Sequence, residues 1–328
     1  MREDPIFITG CYRSGTTFLS RILDAHPDLN ISYDTVSYFR FIIKKNMDPQ
    51  NYEPILDEIG QRLKNRYNMN ISKEEIVKKI EQFRPLTHKI LYSAVMEVFF
   101  KTDQKRWGEK TLLEWSNLPF FLSMYPQGQV IHIIRDPRDV VASYKHMTIE
   151  TGDKYLDAIF ATMHSMDSAI IYKRKLPSDR YYLLKYEDLI MNPEKKVEEI
   201  CKFLNIRFTL EMLNPNNYKD QFGKSFDGKR HSSFVKEDQL LDKIVPIDRW
   251  KKKLNKFEIS FTEGFLFGQM QYFNYTFSDY FQDNLFYQLL ISIEKTSLLK
   301  ERIIHFLNTG EGIESYPSDP TLPQNWGD

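Results

Sequence analysis

The chain reads as an α/β protein, with a parallel sheet, helices on both faces and a helical insertion. Three stretches predict this. Ile6, Phe7 and Ile8 form an apolar run, a loop with two glycines follows, and Phe18, Leu19, Ile22 and Leu23 then repeat at helical spacing. Gln129 to Ile134 is a second buried run, leading into Asp136-Pro137, a helix N-cap with proline at the first helical position. Arg180 to Lys185 is a third run, ahead of a helix over about Pro193 to Leu204. Strand, glycine-bearing loop and helix in that order make the sheet P-loop-like.

The elements follow in order. Residues 5–9 and 15–25 are the opening strand and helix, and Pro27 ends the helix. Asn30 to Asp34 is a short strand that places Asp34 near its C-terminal end, the edge where ligands sit in open α/β sheets. Residues 35–104 read as helical. Tyr38, Phe39, Phe41, Ile42 and Ile43 form an apolar stripe, and amphipathic helices span 51–67 and 73–83. This segment is expected to be an acceptor-side lid over the active edge, or else a helical layer packed on the sheet. Arg106 to Thr111 comes next, then a helix from about Leu112 to Tyr125 and another over 152–175. The pattern is weak from Thr209 to Ile247, and 256–308 is again helical. One domain is expected over 1–308, with a flexible tail over 309–328.

Composition narrows the function. The chain has 328 residues, enough for one large domain with a sizeable core. Its 45 basic and 45 acidic residues balance, which argues against a general nucleic-acid or anionic-membrane binder. Cys11 and Cys201 are its two cysteines, so no disulfide framework is indicated. No apolar run approaches the ~18 residues of a membrane span. The first strand begins too early for a signal peptide, so a cytoplasmic protein is expected, and the sequons at Asn30, Asn70 and Asn274 are chance matches.

The loop is an anion cradle. Its backbone N–H groups and the helix N-terminus point at one phosphate. The spacing Gly10-x-x-x-x-Gly15 is that of a P-loop, but Thr16-Thr17 stands where nucleoside-triphosphate enzymes have Lys then Ser or Thr. Without the lysine that reaches the β- and γ-phosphates, the ligand should carry a 5′-phosphate and no polyphosphate tail. Arg13 supplies charge from within the loop. A chance match in an ordinary βα turn is the plain alternative.

Tyr12-Arg13-Ser14-Gly15-Thr16-Thr17, followed by Leu23-Asp24-Ala25-His26-Pro27, resembles the 5′-phosphosulfate loop of sulfotransferases that use 3′-phosphoadenosine 5′-phosphosulfate. It is most similar to their tyrosylprotein and carbohydrate branches. The resemblance implies that Arg13, Ser14, Gly15, Thr16 and Thr17 hold the 5′-phosphosulfate. It implies that Arg135 and Ser143 grip the 3′-phosphate, a guanidinium giving charge-assisted bonds and a hydroxyl adding a donor. Singly, Arg135 could be an ion pair with Asp139, and Ser143 a small packing residue. Tyr186 and the segment Arg249, Trp250, Lys251 resemble the remaining nucleotide contacts, although Asp248 replaces the usual glycine.

Lys110, in Gly108-Glu109-Lys110-Thr111, resembles the lysine that reaches the oxygen between sulfur and the departing nucleotide. The alternative is a solvated lysine. The histidine base of the cytosolic branch is replaced by Leu112. The tyrosylprotein branch has a glutamate where this chain has Asp34, which is therefore the expected base, or else a helix cap, with Glu109 in reserve. The arginine that branch uses for its acidic peptide is Val36 here. His26 and Cys11 read as structural. No His, Cys and carboxylate set has metal-ligand spacing, so no metal is expected.

The expected reaction is transfer of a sulfuryl group from 3′-phosphoadenosine 5′-phosphosulfate, as co-substrate, to a hydroxyl or amine of a carbohydrate-type or small-molecule acceptor. Alternatives are a P-loop-type small-molecule kinase, disfavoured by Thr16 and Arg135, and a catalytically inactive nucleotide-binding module. Neither nucleic acid nor a membrane span is expected; the oligomeric state stays open.

Overall fold

Strands buried on both faces need continuous apolar runs, and alternate side chains must then feed two separate cores. The computed structural model describes residues 3–45, 47, 52–102, 104–145, 157–219, 223–225, 247–281, 301 and 304. The expected tail over 309–328, nearly all of 282–308, and 226–246 of the weakly patterned stretch lie outside these residues.

The elements run β1 (Ile6–Gly10), α1 (Thr16–Asp24), β2 (Leu29–Tyr33), α2 (Tyr38–Phe41), α3 (Glu53–Tyr67), α4 (Lys73–Ile80), α5 (His88–Phe100), β3 (Arg106–Leu112), α6 (Leu118–Met124), β4 (Gln129–Ile134), α7 (Pro137–Tyr144), α8 (Asp157–Lys175), β5 (Tyr181–Lys185), α9 (Tyr186–Met191), α10 (Pro193–Leu204), α11 (Trp250–Lys253), α12 (Lys256–Phe265) and α13 (Phe267–Tyr272). Five strands pair in parallel in the order β2-β3-β1-β4-β5. The expected parallel sheet with helices on both faces is therefore what the chain forms.

Side-chain parity separates the two cores. Ile6, Ile8, Ile131 and Ile133 pack with Leu19, Ile22 and Leu23 of α1 and with Val197 and Ile200 of α10. Phe7, Trp107 and Val130 point the other way and pack with Phe39, Tyr92, Val95 and Phe121. Phe7 is wholly buried, with its ring edge-on to Phe39 at 5.1 Å and tilted to Phe121 at 4.9 Å. Within the segment 35–104, α5 packs on the sheet, because its Tyr92 and Val95 share this core.

The structure adds a strand that the periodicity did not reveal. Arg106–Leu112 is β3, paired on one side with β1 and on the other with β2. The helix expected from Leu112 to Tyr125 is shorter. Leu113 turns the chain with φ 63°, a 3₁₀ turn spans Glu114–Asn117, and α6 then takes over. At α7 the expected cap is present, with the Arg138 N–H donating to the Asp136 side chain. Among the described residues no helix is long and apolar enough to cross a membrane.

From β1 the chain turns to one side for β2 and β3 and to the other for β4 and β5. The C-terminal end of β1 is therefore the topological switch point, where a crevice opens in such sheets. Phe7, near the start of β1, anchors this central strand to the helical layer. Phe7→Ala should cost about 3–5 kcal/mol of stability, the range for truncating a buried aromatic. Urea unfolding should show a lower midpoint with an unchanged slope. A loss within experimental error would mean that the sheet does not pack against α2 and α6 through this ring.

Candidate functional site

The loop after β1 is shaped by backbone conformation. Arg13 and Gly15 have φ of 64° and 101°. A side chain at Gly15 would be strained, and its Cβ would stand 2.3 Å from the Tyr186 ring. Only hydrogen fits there, so the loop can lie against Tyr186. The Ser14 N–H and hydroxyl both donate to the Cys11 carbonyl, at 3.2 and 2.5 Å, which folds the loop back on itself. Thr16 and Thr17 open α1, whose first N–H groups face the end of the loop as a helix N-terminus requires. Cys11 is buried beside Thr162, and burial pushes its thiol up to about 12, which disqualifies it as a nucleophile.

The end of β4 is tied to this loop. Arg135 Nη1 donates to the Arg13 carbonyl at 2.9 Å, and Arg13 Nε donates to Ser143 Oγ at 2.9 Å. The Arg135 guanidinium lies 4.5 Å from the centre of the Tyr186 ring and 3.7 Å from Asp139 Oδ2. Arg13, Arg135, Ser143 and Tyr186 thus form one assembly across three strand ends.

Asp139 extends it. Its carboxylate accepts the backbone N–H groups of Asp248, at 2.9 Å, and Trp250, at 3.0 Å. Asp248 adopts φ 62°, the left-handed conformation that suits the glycine it replaces. Arg249 is half-buried and acts electrostatically on Tyr186. Lys251 is exposed and paired with Asp248 at 2.7 Å. Trp250, between them, packs inward. It is 5% exposed, and its ring carries the Arg138 guanidinium at 3.9 Å. Arg138 in turn pairs with Asp136 and Glu263, each at 2.6 Å. Trp250 is a core residue that fastens α11 to α7.

Across the edge lie three carboxylates with different surroundings. Asp34, with φ 58°, accepts from Lys110 Nζ at 2.6 Å through Oδ2 and from the Leu112 N–H at 3.1 Å through Oδ1. Glu109 and Lys110 are adjacent on β3 and face opposite sides of the sheet. Glu109 is wholly buried, and its two oxygens accept the Ser37 N–H and the Tyr92 hydroxyl, both at 2.6 Å. Burial pushes Glu109 up to about 7, opposed by those two bonds and by Arg62. This overturns its place as reserve base, because the group has no access to a ligand. Glu114 lies in a crevice with Asp34, Ser37, Arg40, Thr111 and Leu112. Its Oε2 accepts from Asn117 Nδ2 at 2.5 Å, and burial raises it to about 6.

A profile described as Sulfotransferase family matches residues 5–209, more than half of the chain. The chain belongs to the sulfotransferase family. It is 25% identical over 224 residues to a protein-tyrosine sulfotransferase of Drosophila melanogaster, an alignment covering 66% of this chain and 41% of that protein. It is 27% identical over 248 residues to omega-hydroxy-beta-dihydromenaquinone-9 sulfotransferase Stf3 of Mycobacterium bovis, covering 62% of this chain and 63% of the relative. The chain therefore spans about two fifths of the Drosophila relative and under two thirds of the mycobacterial one. Among solved structures, the sulfotransferase domain of the Synechococcus PCC 7002 olefin synthase superposes with a TM-score of 0.58 at 20% identity, covering 84% of this chain and 98% of that domain. That likeness establishes the sulfotransferase fold.

Of the residues singled out from the sequence, Arg13, Ser14, Gly15, Thr16, Thr17, Arg135, Ser143 and Tyr186 come together at the β1 and β4 ends, while Lys110 and Asp34 meet beside β3. Sequence reasoning missed Asp139 as a brace and Glu114 as a crevice residue. Asp139 had been weighed only as an ion-pair partner of Arg135, and Glu114 had been placed inside a helix. His26 is structural as expected, with Nε2 against the Arg207 carbonyl at 2.8 Å and Nδ1 accepting the Asp28 N–H at 3.1 Å. Among the described residues no three or more His, Cys, Asp or Glu gather as a metal site.

Burial raises Glu109 from its ordinary 4.5 to about 7. A carboxyl whose folded pKa is raised contributes stability that is fully present below its unfolded value and is lost as pH rises through the folded one. The stability advantage of wild type over Glu109→Gln should therefore shrink between pH 4.5 and about 7 and then level off. Melting curves of both proteins across that range test this. A constant gap would show that folding does not raise the Glu109 pKa.

Proposed function

We propose that this chain transfers a sulfuryl group from 3′-phosphoadenosine 5′-phosphosulfate to a hydroxyl, or an amine, of a carbohydrate-type or small-molecule acceptor. One observation carries the reading: Arg135 donates to the Arg13 carbonyl while Arg13 donates to Ser143. The two segments that would hold the two ends of the nucleotide are thereby joined. In this reading Arg13, the loop N–H groups and the opening of α1 with Thr16 and Thr17 hold the 5′-phosphosulfate. Arg135 and Ser143 hold the 3′-phosphate, with Arg249 and Lys251 adding charge. The residues fit such a ligand, since Gly15 presents bare backbone beside an aromatic ring.

Lys110 is assigned the negative charge that develops on the leaving oxygen, where a positioned cation lowers the barrier most. Asp34 holds that lysine in place. Asp34, Ser37, Arg40 and Phe41 line the crevice assigned to the acceptor, so this part of 35–104 is assigned to acceptor selection, within one domain over 1–308. The relatives' names specify different acceptors, a protein tyrosine and an omega-hydroxy-menaquinone. Val36, where the tyrosylprotein branch has its peptide-binding arginine, is wholly buried, which disfavours an acidic peptide. Two buried free thiols suit a reducing compartment, and a cytoplasmic setting belongs to this proposal.

Adenosine 3′,5′-bisphosphate should raise the melting temperature, by the equivalent of about 2.7 kcal/mol at a hundredfold excess over its Kd. ATP with magnesium should not. Arg135→Ala should weaken the bisphosphate by roughly 1.5–3 kcal/mol, the range for a bond to a charged group. It should weaken adenosine 5′-phosphosulfate, which lacks the 3′-phosphate, distinctly less, by no more than the loss of the bond to the Arg13 carbonyl costs the loop. Calorimetric titration of both nucleotides reads this out. A larger shift with ATP-magnesium would overturn the reading.

A further inference from the structure

Transfer to a hydroxyl needs a group to receive its proton, and the sequence pointed to Asp34 or Glu109. Neither carboxylate is open to that task. Glu109 is sealed in the core with both oxygens bound. Asp34 has one oxygen on the Lys110 ammonium and the other on the Leu112 N–H. Protonating Asp34 during turnover would weaken its hold on the lysine just as negative charge builds on the leaving oxygen.

Glu114 lines the same crevice as Asp34, one short turn beyond the end of β3. Leu113, at φ 63°, reverses the chain so that Glu114 returns to the mouth instead of continuing outward. Asn117 steadies it through one oxygen and is itself fixed by a bond of 3.2 Å to the Phe39 carbonyl. Among the described residues no donor binds the other oxygen, Oε1, which is thus available to a hydroxyl. Arg40 and Lys44 act on Glu114 from the segment after β2 and favour its charged form, while Asp34 opposes it.

We propose that Glu114 takes the acceptor proton and that Asp34 serves as the positioning residue for Lys110. This rests on the sulfuryl-transfer reading above. In the step, the acceptor O–H bond breaks and its proton goes to the Glu114 carboxylate. The oxygen's electron pair forms the new O–S bond. The S–O bond to the nucleotide breaks, and its pair stays on the nucleotide oxygen, where Lys110 offsets the charge. Burial raises Glu114 to about 6, so the group is ionised at neutral pH yet basic enough to accept a proton.

The test is single-turnover kinetics with sulfate-labelled donor, offering water and a panel of sugars and primary alcohols as acceptors. Glu114→Gln should lower the transfer rate constant by about a hundredfold or more, the scale of general-base catalysis. Its affinity for adenosine 3′,5′-bisphosphate and its KM for acceptor should change little. The rate of wild type should fall below about pH 6, and that limb should vanish in the variant. Asp34→Asn should also be slow but should keep the limb, since it acts through Lys110. Melting curves check folding, and Glu114→Asp, which keeps a carboxylate, should recover part of the rate. If wild type moves label and Glu114→Gln matches it, or loses rate while keeping the limb, Glu114 is not the base and the sulfuryl-transfer reading stands. If wild type binds the bisphosphate but moves no label to any acceptor, the proposed function fails and takes this assignment with it.

Discussion

A guanidinium cannot be taken out of water alone, and Arg135 is 5% exposed. What surrounds it therefore dictates much of the site. The Arg13 carbonyl takes one of its N–H groups, the Tyr186 ring lies against its face and Asp139 balances its charge. Each partner comes from a different element: the loop after β1, the start of α9 and the first turn of α7. Satisfying one buried cation thus fixes the relative placement of three strand ends. The parallel sheet supplies the rest, because it brings all of its C-terminal ends to one edge.

The same edge shows how environment divides labour among identical chemical groups. Three carboxylates sit around the end of β3. One is spent on an ammonium and an amide, one is buried under a tyrosine hydroxyl and a backbone N–H, and one is steadied on a single oxygen. Their roles follow from access and partners rather than from position in a motif. Glu109 stands next to Lys110 in sequence, yet strand pleating sends it to the opposite core.

This explains which parts of the molecule were legible in the sequence. β1 and β4 were, because their apolar runs are those of doubly buried strands, and the edge strands β2 and β5 were, through short stretches of β-favouring residues bounded by turns. The phosphate loop was, because glycine spacing and a following helix are local features. β3 was not. Arg106-Trp107-Gly108-Glu109-Lys110-Thr111 has neither an apolar run nor clean alternation, and its polar side chains are satisfied by Asp34, Tyr92 and Gln129, all distant in sequence. Without β3, the strand order and the opposed faces of Glu109 and Lys110 could not be anticipated. The stacking of Arg138 on Trp250 was hidden for a related reason: it joins residues more than a hundred positions apart.

Asp139 holds the segment after residue 247 by its main-chain N–H groups and not by its side chains. A loop anchored in this way keeps its path whatever exposed side chains it carries, provided residue 248 can adopt a left-handed backbone and Trp250 stays seated against Arg138. Its surface is therefore free to vary without remodelling the scaffold. On the proposed reading, exchanging Arg249 or Lys251 would alter the charge offered to the nucleotide while leaving the backbone path intact.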